Sequence, residues 1–397
     1  MKILRVINSM NPASGGPCQG IRNTVPQMKD LGAQTEVVCL DDPQSAWIGK
    51  DSFTVSAIGK ASGPWAYHAA LLPWLKINLG NFDVVIVHGL WQYHSYAVLK
   101  VQQWLKKQRL HCPLIYVMPH GMLDPYFQKA EGRRLKALRN SLYWHLIESK
   151  VVKAADGLLF TCQEELELAA HTFNRYKPKA VYNVGYGVLP PPSRTDDQIK
   201  AFLQLIPEAA EQSYILFLSR VHEKKGVDLL LSAYSSVYGS DNNAPMLVIA
   251  GPGMETDYGQ LLRKMVAQSD FLNSNVRFVG MLQGDIKWGA FYKAESFILP
   301  SHQENFGIAV AEALACQLPV LITNKVNIWR EIASAQGGLV APDDAKGVRT
   351  LLQNWKNCQE NERVKMKQQA YATYEQFFTV KQAAINVMNV FTTKTNA

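Results

Sequence analysis

The sequence predicts an α/β chain built as two doubly wound parallel sheets. Three observations lead there: a length of 397 residues, strand-like and helix-like segments that alternate from end to end, and three consecutive prolines near the middle. A chain of this length exceeds one ordinary hydrophobic core, so two domains are expected. Alternation of strand and helix implies parallel strands joined by crossover helices that cover both faces of a sheet.

The elements follow in order. In the first half, short apolar runs at Ile3–Ile7, Glu36–Leu40, Val84–His88, Leu114–Met118, Gly157–Thr161 and Ala180–Val184 predict strands. In the second half the same rhythm returns at Tyr214–Leu218, Met246–Ala250, Val276–Val279, Phe297–Leu299, Pro319–Ile322 and Gly338–Val340. Continuous apolar runs of this length fit strands buried on both faces. Helical periodicity fills most gaps, for example at Tyr96–Lys106, Asp257–Ala267 and Gly284–Ala294. Pro190-Pro191-Pro192 can continue neither a helix nor a central strand and makes a stiff linker. A Rossmann-like N-terminal domain is therefore expected at residues 1–190 and a second at 193–374. The remaining residues, about 375–397, carry Ala383, Ala384, Val387 and Val390 at helical spacing and predict a closing helix.

Composition narrows the class. Hydrophobic residues make up 47% and charged residues 19%, which excludes a disordered chain. No apolar run approaches the roughly 18 residues of a membrane-spanning helix. Met1–Ile7 reads as a buried strand and is too interrupted for a secretory signal, so a cytoplasmic location is expected. The six cysteines are dispersed, without a Cys-x-x-Cys pair, and predict free thiols. A net charge of +8 favours an anionic partner. Lys129, Arg133, Arg134, Lys136 and Arg139 cluster, with Lys150 and Lys153 beyond, ahead of and among Leu142, Tyr143, Trp144, Leu146 and Ile147. That segment predicts a basic helix with a packed underside. The alternative is peripheral contact with the anionic inner face of a membrane. No base-stacking or zinc-finger pattern accompanies the charge, so nucleic acid is not an expected partner.

Chemistry concentrates at the ends of predicted strands, where open α/β sheets bind ligands. After Tyr214–Leu218 come Arg220 and Lys225, two cations able to converge on a phosphate pair, followed by Gly226. After Phe297–Leu299 comes Glu304-Asn305-Phe306-Gly307-Ile308, with Glu312 eight residues beyond Glu304. Gly307 lets the backbone approach a ligand, and the first amides of the following helix have no partner within it. Carboxylates and free amides together suit a polyhydroxylated ligand. Ala250-Gly251-Pro252-Gly253 and Gly280-Met281-Leu282 close two further strands. In the first half, Ser14-Gly15-Gly16-Pro17, His88-Gly89-Leu90-Trp91 and His120-Gly121 likewise follow strands.

These motifs, in this order and spacing, resemble the GT-B glycosyltransferases, specifically the retaining family 4, also called glycosyl transferases group 1. The first half resembles the family more loosely. The resemblance implies two Rossmann-like domains facing across a cleft, with the C-terminal tail returning to the first. It implies transfer of a hexose from a UDP- or GDP-sugar, with uracil favoured, to a glycan or lipid-linked acceptor in surface polysaccharide assembly. By the same resemblance Arg220 and Lys225 grip the diphosphate, Glu304 holds the donor sugar and Glu312 the ribose. Asn305, Phe306, Gly307 and Ile308 contact sugar or phosphate, and Met281 and Leu282 read the base. Gly251 and the Gly15-Gly16 loop approach the donor, and His120 hydrogen-bonds its sugar near the reacting carbon. No cofactor and no metal are expected, since the chain has no Asp-x-Asp. Three readings compete with this one. A hydrolase would use Glu304 and Glu312 as acid and nucleophile, a nicotinamide oxidoreductase would use Gly251-Pro252-Gly253, and a sugar-binding protein would show no turnover.

Overall fold

A computed structural model describes residues 1–129 and 134–395. Arg133 of the basic cluster lies outside the described residues. The chain divides into two compact units, one of residues 1–187 with 380–397 and one of residues 188–379.

The first unit holds seven strands: β1 (Lys2–Ile7), β2 (Gln34–Cys39), β3 (Val55–Ala57), β4 (Val84–His88), β5 (Leu114–Met118), β6 (Gly157–Phe160) and β7 (Val181–Asn183). Their order is β3-β2-β1-β4-β5-β6-β7, and every pairing is parallel. Side chains alternate between faces, so neighbouring residues feed different cores. Leu4, Val6, Val85 and Val87 pack on one face with the helix residues Val98, Val101 and Leu105. Ile3, Val84 and Ile86 pack on the other with Ala384, Val387, Met388 and Phe391 of the Val380–Thr395 helix. A Cβ on Gly187 would lie 2.5 Å from the Cα of Val380, so only glycine permits this close approach.

The sequence reading does not anticipate β3. It is a three-residue edge strand, half-exposed throughout, and leaves no apolar run to read. The basic segment also differs from expectation. Arg134–Tyr143 is a helix that continues as a π-helical turn, Trp144–Glu148. Tyr143 and Trp144 are buried, but Leu142 and Leu146 face outward rather than into a packed underside.

The second unit holds β8 (Tyr214–Leu218), β9 (Met246–Ala250), β10 (Val276–Gly280), β11 (Ser296–Leu299), β12 (Val320–Thr323) and β13 (Gly338–Ala341). The order is β10-β9-β8-β11-β12-β13, again all parallel. Each sheet reverses its winding once, between β1 and β4 and between β8 and β11. The crevice outside the carboxyl ends of such a strand pair is where doubly wound sheets bind ligands. Gly15 and Gly16 follow β1 and His88 ends β4 at the first reversal, Arg220, Lys225 and Glu304 follow the strands of the second, and His120, Gly251 and Met281 follow the neighbouring strands β5, β9 and β10.

Candidate functional site

In the second unit the site starts at the end of β8. Ser219, Arg220 and Val221 form a loop braced from below by the Gly251-Pro252-Gly253 turn. The Ser219 amide donates to the carbonyl of Ala250, and the Val221 amide to that of Pro252, at 3.1 and 2.8 Å. A Cβ on Gly251 would sit 1.8 Å from the Ser219 carbonyl oxygen, and one on Gly253 would sit 2.3 Å from that of Val221. Packing alone therefore requires glycine at both positions. Arg220 leaves this loop exposed and makes no ion pair among the described residues.

A short turn, Glu223–Lys225, follows, with the His222 ring accepting from the Lys224 amide. Gly226 then adopts a left-handed conformation (φ 64°) and opens the Val227–Tyr238 helix. A Cβ there would lie 2.3 Å from the Pro300 carbonyl oxygen, so the turn is pressed against the loop after β11. That contact brings Lys225, itself buried, into an ion pair with Glu304. The backbone of Glu304 is fixed independently. Its amide donates to the Lys325 carbonyl at 2.9 Å, and its carbonyl accepts from the Asn327 amide at 2.9 Å. Gly307 (φ 81°) then turns the chain into the Ile308–Ala315 helix, and the Gly307 carbonyl accepts from the Val310 and Ala311 amides at 2.9 and 3.2 Å.

Glu312 sits one turn into that helix. Its carboxylate accepts from Lys287 at 2.7 Å, and the Lys287 ammonium also lies 4.4 Å from the centre of the Trp288 ring. Lys287 escapes the sequence reading because nothing local marks it: it is one lysine on the Gly284–Lys293 helix. Its position just beyond Met281 and Leu282 is the one available signal. Met281 is exposed and Leu282 buried. Glu304 and Glu312 are thus each paired with a lysine, while Arg220 has no ion pair among the described residues. The unit is suited to hold a ligand that carries both anionic oxygens and hydroxyls.

The first unit carries a separate constellation. Gly15 has φ 84° and precedes the 15-residue Gly16–Asp30 helix. Nothing crowds the place of a Cβ on Gly15, so its backbone conformation alone selects glycine. His120, just past β5, takes a left-handed φ of 53°, an unusual and strained state for a side-chain-bearing residue. Glu165 holds the turn by accepting from the Gly121 amide at 2.5 Å and from the Thr161 amide at 2.8 Å. His88 ends β4, and its Nδ1 lies 2.9 Å from His120 Nε2. Burial, with the nearby Arg5 charge, lowers His120 to about 3 and holds His88 far below the usual histidine range. Both rings are therefore neutral at ordinary pH. Among the described residues no three His, Cys, Asp or Glu side chains gather as a metal site.

Comparison with known proteins accounts for both halves. Residues 199–373 match the family described as "Glycosyl transferases group 1", and residues 15–183 match "Glycosyl transferase 4-like domain". A D-inositol 3-phosphate glycosyltransferase of Segniliparus rotundus is 26% identical over 86% of this chain and 74% of its own length. Another, from Jonesia denitrificans, is 27% identical over 66% of this chain. That match spans 61% of the Jonesia protein, about three fifths of its length. Among solved structures, Anabaena HepE in complex with UDP superposes with a TM-score of 0.74 at 15% identity, covering 99% of this chain and 100% of that one. HepE has also been solved in complex with UDP-glucose. Identity this low shows the shared GT-B fold.

Proposed function

Since the chain belongs to the group 1 glycosyltransferases, we propose that it moves a hexose, with retention of anomeric configuration, from a UDP-sugar such as UDP-glucose to an acceptor hydroxyl. The observation that carries this reading is the Lys225–Glu304 ion pair, which ties the loop after β8, where Arg220 also lies, to the loop after β11 at the winding reversal. A nucleoside diphosphate brings negative charge and the sugar brings hydroxyls. As the C1–oxygen bond breaks, its electron pair moves onto the diphosphate. Arg220 and Lys225 stabilise that growing charge from fixed positions, without a metal ion. The acceptor oxygen attacks C1 on the face the diphosphate leaves, and its proton passes to a phosphate oxygen. Glu304 receives the sugar hydroxyls and Glu312 the ribose hydroxyls. Asn305 and the amides of Phe306, Gly307 and Ile308 complete the cradle, while Met281 and Leu282 border the base. Gly251 supports the cation loop, Gly15 and Gly16 admit substrate oxygens, and His120 hydrogen-bonds the sugar.

Uracil is favoured by the UDP complexes of HepE. The hydrolase reading is weaker, because hydrolysis requires one carboxyl to carry the proton given to the leaving group. Here both glutamates are committed to lysines. The acceptor is a glycan or lipid-linked hydroxyl in surface polysaccharide assembly, met at the inner face of a membrane. Support for the membrane comes from the Arg134–Tyr143 helix and its continuation. Leu135, Leu138, Leu142 and Leu146 are 84%, 70%, 61% and 56% exposed, at spacings of three, four and four, with Lys136 and Arg139 exposed beside them. An apolar stripe flanked by cations fits an anionic bilayer surface. The deciding assay incubates the protein with UDP- and GDP-sugars, with and without acceptor and with a chelator present. Acceptor-dependent UDP release that survives the chelator supports the reading. Sugar release to water alone, or turnover of NAD, refutes it.

A further inference from the structure

Behind His120 a line of donors reaches into the core of the first unit. Arg5, on β1, is 4% exposed. Its Nη2 reaches Thr24 Oγ1 at 3.3 Å and Met28 Sδ at 2.9 Å, and its Nη1 stands 3.4 Å from His88 Nε2. No carboxylate pairs with it among the described residues. A guanidinium can only donate. His88 Nε2 must then be the bare nitrogen, because a proton there would set donor against donor. A neutral imidazole carries one proton, so that of His88 lies on Nδ1 and points at His120 Nε2, 2.9 Å away. His120 Nε2 is in turn the acceptor, which leaves the His120 proton on Nδ1.

We propose that Arg5 and His88 are positioning residues that fix His120 as a neutral Nδ1–H donor aimed at a substrate oxygen. The proposal rests on the reading of His120 as a contact to the transferred sugar and adds the direction of that contact. Toward the sugar, His120 gives a hydrogen bond from Nδ1; it neither accepts one there nor removes a proton. The titratable and charged groups around it agree. Arg5 on β1 opposes protonation of both rings. His94 gives its Nε2 proton to the His88 carbonyl at 2.9 Å, and Glu165 is engaged with the Gly121 and Thr161 amides.

The test is nitrogen-15 spectroscopy of the full chain labelled at histidine, with the His120 signals assigned by their loss in His120→Asn. The expected result is a protonated Nδ1 and a bare Nε2 on His120, unchanged between pH 6 and 8. In Arg5→Met the tautomers mix or the ring titrates in that range. In that variant kcat falls about 10–100-fold, the size of loss seen when the outer partners that orient metal-ligating histidines are removed, with little change in KM for the nucleotide sugar. Arg5→Lys, which keeps a buried donor, retains the Nδ1–H form. A wild-type His120 protonated on Nε2, or an Arg5→Met spectrum identical to wild type, overturns the relay. If Arg5→Met does not fold, the wild-type and Arg5→Lys spectra decide alone. Full turnover by His120→Ala would instead sink the sugar contact, and the positioning role with it, while the tautomer stays separately readable.

Discussion

Lys225 and Arg220 are the residues on which the donor reading turns, and they differ in kind. Lys225 is buried and already committed to Glu304, whereas Arg220 is exposed and uncommitted. Removing either takes away a fixed donor to the leaving diphosphate, so Arg220→Ala and Lys225→Ala should each lower kcat by about 10²–10³-fold. Steady-state kinetics within twofold of wild type would refute the assignment. Glu148 supports a second prediction. It is fully buried in the first unit and accepts from the Trp91 amide and the Ser95 hydroxyl, both at 2.8 Å. Burial raises its carboxyl to about 7 from 4.5. The folded chain therefore keeps this proton up to about pH 7, while the unfolded chain releases it near 4.5. Stability from this group falls as pH rises through that window, by about 3 kcal/mol in all. Glu148→Gln should flatten the fall and melt higher than wild type at pH 8; an unchanged pH–melting profile would contradict it. As candidates, Arg220, Lys225, Glu304 and Glu312 can be picked out of the sequence because strand-end loops announce themselves locally. Lys287 and Arg5 cannot, because their roles come from partners 25 and 83 positions away that only folding supplies.

Among the elements, strands are the most legible, since burial on both faces writes continuous apolar runs. The edge strand β3 lacks that burial and leaves no such trace. The basic helix shows the opposite limit. Its leucines read as an underside because a sequence cannot say whether an apolar stripe meets protein or an outside surface. In the structure the stripe faces outward. If it docks on lipid, Leu138→Asp with Leu142→Asp should release the protein from vesicles containing anionic phospholipid while leaving transfer to a soluble acceptor intact. The measurement is vesicle co-sedimentation, and failure of the wild type to sediment would end the idea. No helix among the described residues is long and apolar enough to cross a membrane.

Across the whole molecule, alternation of strand and helix is enough to specify two parallel sheets, because crossover connections leave few other arrangements. Strand order is not written in that rhythm, yet it decides where the site lies. The reversal between β8 and β11 places the cation loop beside the Glu304 loop, and at the one between β1 and β4 Pro17, just past the Gly15-Gly16 turn, and His88 line one cavity. The central claim is that the β8/β11 reversal in the second unit grips the donor's diphosphate. A crystal structure of the protein soaked with UDP-glucose tests it most directly. Diphosphate oxygens about 3 Å from the Arg220 guanidinium and the Lys225 ammonium, with the ribose on Glu312, are the predicted result. A donor bound elsewhere, with Arg220 and Lys225 in contact with solvent alone, would contradict the account.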